Sequence, residues 1–218
     1  MKTIGYGNKD AKTVLIQPAG KHEIASLEGG FAAACASAAE DIRMIACVID
    51  DWNSELSPWS APAVFGNESF GDGAAGTLAG ILQLCEDTTK SYIIGGYSLA
   101  ALFSLWAAYQ TDRFAGVAAA SPSMWFPGFT LYMKDNRIKC ERVYLSLGDR
   151  EEKTKNRVMA TVGDEIRNAY DILCRQGIEC VLEWNEGNHF KDAPKRTAKA
   201  FAWILERLNE AQKKEDSI

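Results

Sequence analysis

Short apolar runs alternate along this chain with longer stretches whose apolar positions recur every three or four residues. The alternation begins at the apolar run Met44–Ile49 and continues to a final helical stretch that starts near Asp192. Such a pattern is typical of a parallel sheet that is covered by helices on both faces. The pattern therefore predicts an α/β fold, a three-layer α/β/α sandwich with a mostly parallel sheet.

The amino-terminal section departs from this alternation. Lys2–Tyr6 and Thr13–Gln17 are two short β-prone runs, separated by the turn-rich cluster Gly7-Asn8-Lys9-Asp10. Two such runs joined by a turn predict a β-hairpin. An alanine-rich helix from about Glu28 to Asp41 is predicted to follow, leading into the strand Met44–Ile49.

The remaining predicted elements carry the alternation to the end of the chain. In order they are a helix over Ala74–Asp87, a strand over Tyr92–Gly95, a helix over Leu99–Tyr109, a strand over Gly116–Ala120, a short helix over Phe129–Asn136, a strand over Arg142–Leu147, a helix over Lys155–Arg175, a strand over Glu179–Trp184 and the final helix. We find no repeat or linker, so residues 1–218 are expected to form a single domain without a large cap.

Composition and charge narrow the class of protein. The chain is 47% hydrophobic and 24% charged, and its formal net charge of −5 disfavours nucleic-acid and membrane partners. The six cysteines include no C-x-x-C pair and no secretory apolar region follows Met1, so we expect reduced thiols and a cytoplasmic location. Only two histidines occur, and neither has a ligand-spaced partner, so we expect no metal and no cofactor.

A candidate nucleophile lies in the segment Ser91–Trp106, where an apolar strand meets an apolar helix at a glycine pair. Ser98 stands at the junction, within Gly96-Tyr97-Ser98-Leu99-Ala100. A serine on such a turn exposes its hydroxyl above the sheet edge, with the amides of the new helix behind it. Ala100 replaces the last glycine of the usual G-x-S-x-G pattern, a small departure because the position needs only a small side chain.

A serine nucleophile requires a base to remove its proton and an acid to orient that base. His189 lies in a glycine-containing loop after the last predicted strand, and it follows Ser98 in the expected chain order. The other histidine, His22, precedes the turn at Ser98 and suits no catalytic role in this layout. His189 is therefore the candidate base.

The candidate acids are three carboxylates in the loop after Leu147, namely Asp149, Glu151 and Glu152. We favour Glu151 because a carboxylate three residues past the glycine that ends the strand can reach back to the histidine, and we keep Asp149 as the alternative. An oxyanion hole would need two backbone N–H groups. We expect the first from Leu99. Position alone suggests Asp51 or Trp52, in the loop after Met44–Ile49, for the second.

Two aromatic loops are candidates for the wall of a substrate pocket. The first, Asp50–Asp72, is long and without periodicity, and its Trp59 is predicted to line the pocket, as are Trp125 and Phe126 of the loop after Ala120 and Tyr97 beside the nucleophile. Open α/β sheets bind ligands at the carboxyl ends of their strands, where these loops lie. The alternative for the first loop is an ordered surface segment whose Trp52 and Trp59 fill the core.

Four segments together resemble the esterase branch of the α/β-hydrolase superfamily, which includes esterase D-like enzymes and the esterases that open trilactone siderophores. The segments are Gly95–Leu105, Phe114–Trp125, Tyr144–Glu151 and Glu186–Phe190. The resemblance implies an α/β-hydrolase fold with Ser98 as nucleophile, His189 as base and a carboxylate after the penultimate strand. It does not identify the substrate.

These observations predict a serine hydrolase that cleaves a small-molecule carboxylic ester through an acyl-enzyme. One alternative is an acyltransferase, in which a pocket that excludes water passes the acyl group to an alcohol. The other is a non-catalytic binding protein on the same scaffold, since a fold does not by itself establish an activity.

Overall fold

The structure is a computed structural model that describes residues 1–36, 38 and 41–215. Its strands, in chain order, are β1 (Lys2–Gly7), β2 (Thr13–Gly20), β3 (Ile42–Ile49), β4 (Ser91–Tyr97), β5 (Phe114–Ala120), β6 (Arg142–Gly148) and β7 (Glu179–Asn185). Its α-helices are α1 (Ile24–Cys35), α2 (Trp52–Glu55), α3 (Ala74–Gln83), α4 (Leu99–Gln110), α5 (Phe129–Asp135), α6 (Val162–Arg175) and α7 (Ala193–Glu215). Two short 3₁₀ turns, Glu151–Lys153 and Met159–Thr161, lie between β6 and α6.

The strands form one sheet in the order β1-β3-β2-β4-β5-β6-β7. Every neighbouring pair is parallel except β1 and β3, which are antiparallel. The apolar residues of the sheet contribute to three hydrophobic clusters, and the neighbouring residues Ile93 and Ile94 of β4 belong to different ones. Successive side chains of a strand point to opposite faces, so the sheet is covered on both sides. The predicted three-layer sandwich with a mostly parallel sheet is confirmed.

The predicted amino-terminal hairpin is wrong. The strand β1 pairs with β3, from Lys2 opposite Val48 to Gly7 opposite Arg43, and not with β2. Both edges of β2 are already occupied, by β3 on one side and β4 on the other, and all of its residues are buried. A turn-rich cluster between two strands therefore does not identify pairing partners when the second strand belongs at the centre of a parallel sheet.

Three predicted helices have different bounds. The helix predicted over Ala74–Asp87 ends at Gln83. The helix predicted over residues 28–41 begins at Ile24 and ends at Cys35, and residues 37, 39 and 40 of the predicted range lie outside the described residues. The helix predicted from Lys155 begins only at Val162. The Asn156 side chain explains the delay, because its oxygen accepts the backbone N–H groups of Val158 and Met159 and so stabilises a local turn in place of helix.

The aromatic loop between β3 and α3 has structure of its own. Asp51 caps the short helix α2 by accepting the Ser54 N–H at 3.1 Å, and Ala61 and Phe70 exchange two backbone hydrogen bonds. Trp59 packs against aromatic rings of the loop after β5 and of α5, and its indole N–H donates to the Pro127 carbonyl at 2.9 Å. This part of the loop therefore fills the core.

Replacement of Trp59 by alanine is expected to lower the free energy of unfolding by about 3 kcal/mol, because it leaves a cavity among aromatic rings and an unpaired carbonyl. Trp59→Phe keeps most of the packing and should lose less than half as much. Urea unfolding monitored by circular dichroism measures both variants. Equal stability of Trp59→Ala and the parent protein would contradict the assignment of this ring to the core.

Candidate active site

Three side chains from separate loops form a chain of hydrogen bonds at the carboxyl edge of the sheet. The Ser98 hydroxyl lies 3.0 Å from Nε2 of His189, and Nδ1 of the same ring lies 2.7 Å from Oε2 of Glu151. Ser98 follows β4, Glu151 follows β6 and His189 follows β7. Parallel strands end at the same edge of a sheet, so residues far apart in the chain meet there.

The hydrogen-bond partners determine the tautomer of His189. An ionised carboxylate only accepts hydrogen bonds, so the proton of the neutral ring lies on Nδ1, facing Glu151. Nε2 is then an acceptor, and it faces the Ser98 hydroxyl. In this arrangement the imidazole can receive the serine proton, and the carboxylate can stabilise the resulting positive charge.

The backbone at Ser98 is strained. Its φ of 57° and ψ of −121° lie outside the regions that L-residues normally adopt, and α4 begins at the next residue, Leu99. A Cβ atom on Gly96 would come within 2.9 Å of the Ala100 methyl group, so the turn closes only because Gly96 has no side chain. This contact explains the departure from G-x-S-x-G, since Gly96 provides the space that the Ala100 methyl group occupies.

The Glu151 carboxylate is buried and fully engaged. Its Oε1 atom accepts the Gly148 N–H at 2.7 Å, the Ser121 hydroxyl at 2.9 Å and Nη1 of Arg196 at 2.9 Å. The side chains of Glu151 and Arg196 are only 4% and 3% exposed, so the two charges form an ion pair away from water. Each charge is buried together with its partners, which is the condition for burying a charge at a tolerable free energy.

Arg196 and Tyr97 also hold the loop that carries His189. Nη2 of Arg196 donates to the carbonyls of Glu186 and Asn188, and the Tyr97 hydroxyl donates to the His189 carbonyl at 2.7 Å. Burial raises the pKa of Tyr97, so its hydroxyl stays protonated and remains a donor. The same arginine thus positions both the acid and the loop of the base.

The other two candidate acids lie elsewhere. Asp149 accepts the Gly187 N–H at 2.7 Å and is exposed, whereas Glu152 forms an ion pair with Arg167. Asp149 therefore stabilises the turn before His189, and only Glu151 of the three contacts the imidazole.

Three polar residues of the site were not singled out from the sequence. They are Ser121, which contacts Glu151; Ser123, whose hydroxyl lies 3.2 Å from that of Ser98; and Arg196. The spacing of Arg196 could have indicated that it is buried. It lies four residues before Ala200 and eight before Ile204, on the buried side of an amphipathic helix. The two serines gave no comparable indication.

Two cavities border His189. The larger, of about 370 Å³, also reaches Ser98 and is lined by Tyr97 and Trp52, whereas the smaller, of about 270 Å³, is lined by Trp125. Trp59 and Phe126 line neither of these two cavities, because their rings pack against each other in the core. The predicted pocket residues therefore divide between two cavities and the hydrophobic core.

The loop beside Ser98 is the one after β2, and not the one after β3 that the sequence suggested. Strand β2 is the neighbour of β4, with Ile16 opposite Ile94, so the carboxyl end of β2 at Gly20 is level with Ser98. The loop of Asp51 and Trp52 follows β3, one strand farther out. The Asp51 N–H donates to Glu55 at 2.8 Å and is therefore occupied, and the Trp52 ring lines the larger cavity.

The described residues contain no group of three or more histidine, cysteine, aspartate or glutamate side chains arranged to hold a metal ion. The same part of the chain contains no helix that is both long and apolar enough to cross a membrane.

Comparison with solved structures identifies the fold. The chain is similar to an IroE-like serine hydrolase of Shewanella oneidensis, with a TM-score of 0.71 and 12% identity, covering 93% of this chain and 75% of that one. It is similar to the enterobactin esterase FES of Shigella flexneri, with a TM-score of 0.65 and 13% identity, covering 94% of this chain but only 55% of that one. A Bacillus cereus carboxylesterase matches with a TM-score of 0.60 and 12% identity, covering 94% and 93%. The chain therefore has the α/β-hydrolase fold, as predicted.

Comparison of sequences adds nothing to this result. No family model matches the chain, and no curated protein matches it either.

We expect Gly96→Ala to lower the free energy of unfolding by about 1–3 kcal/mol, because the new methyl group would overlap that of Ala100. The double variant Gly96→Ala/Ala100→Gly removes the overlap and should recover most of this loss. Gly76→Ala in α3 is the control, because nothing lies within 4 Å of its Cβ position, and it should raise stability by up to about 1 kcal/mol. Thermal unfolding of all three variants tests the explanation, which fails if the double variant is no more stable than Gly96→Ala.

Proposed function

We propose that this protein is a serine hydrolase that cleaves a carboxylic ester of a small molecule through an acyl-enzyme intermediate. The observation that carries the proposal is the hydrogen-bonded series Ser98–His189–Glu151, with Ser98 at a strained turn before α4. A nucleophile within hydrogen-bond distance of a base, and a base oriented by a buried acid, is the arrangement required for nucleophilic catalysis.

In the first half of the reaction, Nε2 of His189 takes the hydroxyl proton as Oγ of Ser98 attacks the ester carbonyl carbon. The imidazolium then gives that proton to the leaving alkoxide, which departs as an alcohol and leaves an ester on Ser98. In the second half, His189 removes a proton from water, and the resulting hydroxide attacks the acyl carbon. Return of the proton to Oγ releases the carboxylic acid and restores the serine.

The negative charge on the carbonyl oxygen requires N–H donors near Ser98. Leu99 would supply one, because it is the first residue of α4 and its N–H has no acceptor within the helix. The loop after β2 would supply the other. Its Gly20 and Glu23 N–H groups are already paired with Glu23 Oε2 and the Gly20 carbonyl, which leaves Lys21 and His22 as candidates in this stretch. This loop replaces Asp51 and Trp52 in the proposal because β2 is the strand beside β4.

The names of the similar structures support the same class of reaction. They are described as a serine hydrolase, an enterobactin esterase and a carboxylesterase. At 12–13% identity the likeness concerns the fold, so the proposed activity depends on the side chains of this chain.

Incubation with a fluorophosphonate is expected to add one phosphonyl group to Ser98, detected by mass spectrometry of the intact protein and its peptides. Ser98→Ala should take up no label and should lose hydrolysis of p-nitrophenyl acetate by at least about 10³-fold, because the nucleophile is gone. A parent protein that neither takes up label nor cleaves short esters would refute the proposal. An added alcohol acceptor that collects most of the acyl group would instead identify an acyltransferase.

Glu151 and Asp149 are close in sequence but have different partners, His189 and the Gly187 N–H, and this difference gives a second test. Glu151→Gln removes the charge that stabilises the His189 imidazolium and should lower kcat by about 10³- to 10⁴-fold. Asp149→Asn is the matched control, because an amide oxygen can still accept the Gly187 N–H, and kcat should change by less than about threefold. Steady-state kinetics with p-nitrophenyl acetate compares the variants, and equal losses in both would contradict the assignment of the acid.

A further inference from the structure

The larger cavity is a cleft that leads from Ser98 and His189 into the groove between α1 and α7. On the α1 side it is lined by Glu23, Ser26, Leu27 and Gly30, and on the α7 side by Ala193, Pro194, Thr197, Ala198 and Phe201. The residues of the α1 side span about two helical turns, so this wall of the cleft is roughly 10 Å long. A cleft of this size next to the reacting serine accommodates one half of an ester.

Gln17 is the unusual residue of this cleft. It lies in the central strand β2, is only 6% exposed and lines the cavity, yet its carboxamide makes no hydrogen bond with any other described residue. A buried amide without partners is destabilising, whereas an amide that faces a ligand provides one acceptor and two donors. Gln17 is therefore poised to bind a polar group within the cleft.

Glu23, the residue directly before α1, lines the same cavity. One of its carboxylate oxygens, Oε2, accepts the Gly20 N–H at 2.8 Å, whereas Oε1 accepts no hydrogen bond from any described residue and can accept one from a ligand. Burial raises the pKa of Glu23 above its ordinary value.

The charges around the site favour some ligands over others. Among the described residues, no lysine or arginine lines the cleft, whereas Arg150 and Lys153 line the smaller cavity on the other side of His189. An anionic group in the cleft would face the Glu23 carboxylate without a lysine or arginine to compensate. Apolar walls, including Trp52 and Met44, complete the lining, so a ring with hydroxyl groups fits both the walls and the polar residues.

We infer that the α1–α7 cleft is a specificity site that binds an uncharged, hydroxylated half of the ester, a sugar ring or polyol, through Gln17 and Glu23. The inference rests on the proposed esterase activity for its kinetic test, but it concerns residues that take no part in the proton transfers. Gln17 offers a donor and an acceptor, and Glu23 accepts from a hydroxyl group. Anionic groups are excluded by the Glu23 carboxylate.

The test uses acetyl esters of matched size, namely methyl 6-O-acetyl-glucopyranoside, cyclohexylmethyl acetate, and the carboxylate-bearing and amine-bearing analogues of the cyclohexyl ester. A second set of esters carries the same rings on the acyl side, so that the test covers binding of either the alcohol half or the acyl half of the ester in the cleft. We expect the parent protein to have its highest kcat/KM with the hydroxylated ring. Gln17→Leu should reduce the ratio of kcat/KM for the hydroxylated ring to that for cyclohexyl by about tenfold.

Glu23→Gln removes the charge and keeps a weaker acceptor, so it should raise kcat/KM for the carboxylate-bearing ester severalfold and lower kcat/KM for the hydroxylated ester by about threefold. Glu28→Gln is its control, because Glu28 lies on the exposed side of α1 and does not line the cleft, and the same charge change there should leave all ratios unaltered. A best substrate that is anionic, cationic or purely apolar overturns the inference. Unchanged ratios in both Gln17→Leu and Glu23→Gln also overturn it.

Failure of the cleft assignment and failure of the esterase activity can be told apart. If the parent protein neither takes up the fluorophosphonate nor hydrolyses p-nitrophenyl acetate, the activity is refuted, and the esters can still be tested for binding to Ser98→Ala by saturation-transfer NMR. Binding of the glucoside that is weakened by Gln17→Leu in the Ser98→Ala background supports the cleft as a site for hydroxylated groups. Equal binding of all four rings contradicts it.

Discussion

The buried ion pair between Arg196 and Glu151 is the interaction on which the rest of the site depends. Two charges removed from water stabilise a protein only when their remaining hydrogen-bonding groups also find partners. Arg196 itself lies in α7. The partners come from the ends of β4 and β6 and from the loops after β5 and β7. They are Tyr97, Ser121, Gly148, His189 and the carbonyls of Glu186 and Asn188. The pair therefore links the loops of four neighbouring strands, and loss of either charge would leave the other unpaired in the interior.

The turn at Ser98 is held in its strained conformation by close packing on both sides of the chain. Neither glycine before it could carry a side chain, because a Cβ on Gly95 would lie 2.5 Å from the Ala118 carbonyl oxygen and one on Gly96 would overlap Ala100. Strain at a single residue persists when its surroundings leave no alternative position. The result is a hydroxyl fixed in front of Nε2 of His189, an arrangement that would reduce the reorganisation needed for the proposed reaction.

The sequence predicted the contacts among Ser98, His189 and Glu151 better than the surroundings of these residues. The order of Ser98, Glu151 and His189 along the chain was sufficient, because local patterns identify the strands and parallel strands bring their following loops to one edge. The amino-terminal hairpin was predicted wrongly, and our proposal moves the second N–H donor from the loop after β3 to the loop after β2, for one shared reason. Both depend on which strands are neighbours, and β2 and β3 have similar apolar sequences that do not specify their order in the sheet. Arg196 was missed because a charged residue is rarely buried.

The aromatic residues illustrate a second limit. Trp52, Trp59 and Trp125 stand in similar loops at the same edge of the sheet, yet Trp52 lines the larger cavity, Trp125 lines the smaller one and Trp59 fills the core. Composition cannot separate these roles, since a tryptophan gains from burial against any apolar surface. The difference arises from tertiary contacts such as that of the Trp59 indole with Pro127.

The first turns of α7 contribute both to the hydrogen bonds of Glu151 and to the wall of the cleft. Arg196 faces the acid of the site, and its neighbours Thr197 and Ala198 form one wall of the cleft. Any substitution that moves this wall would also move the guanidinium that holds Glu151. The opposite wall, on α1, has no such attachment to Ser98, His189 or Glu151 among the described contacts. At the proposed specificity site, substitutions of Ser26, Leu27 and Gly30 would therefore disturb the Ser98–His189–Glu151 series less than substitutions in α7.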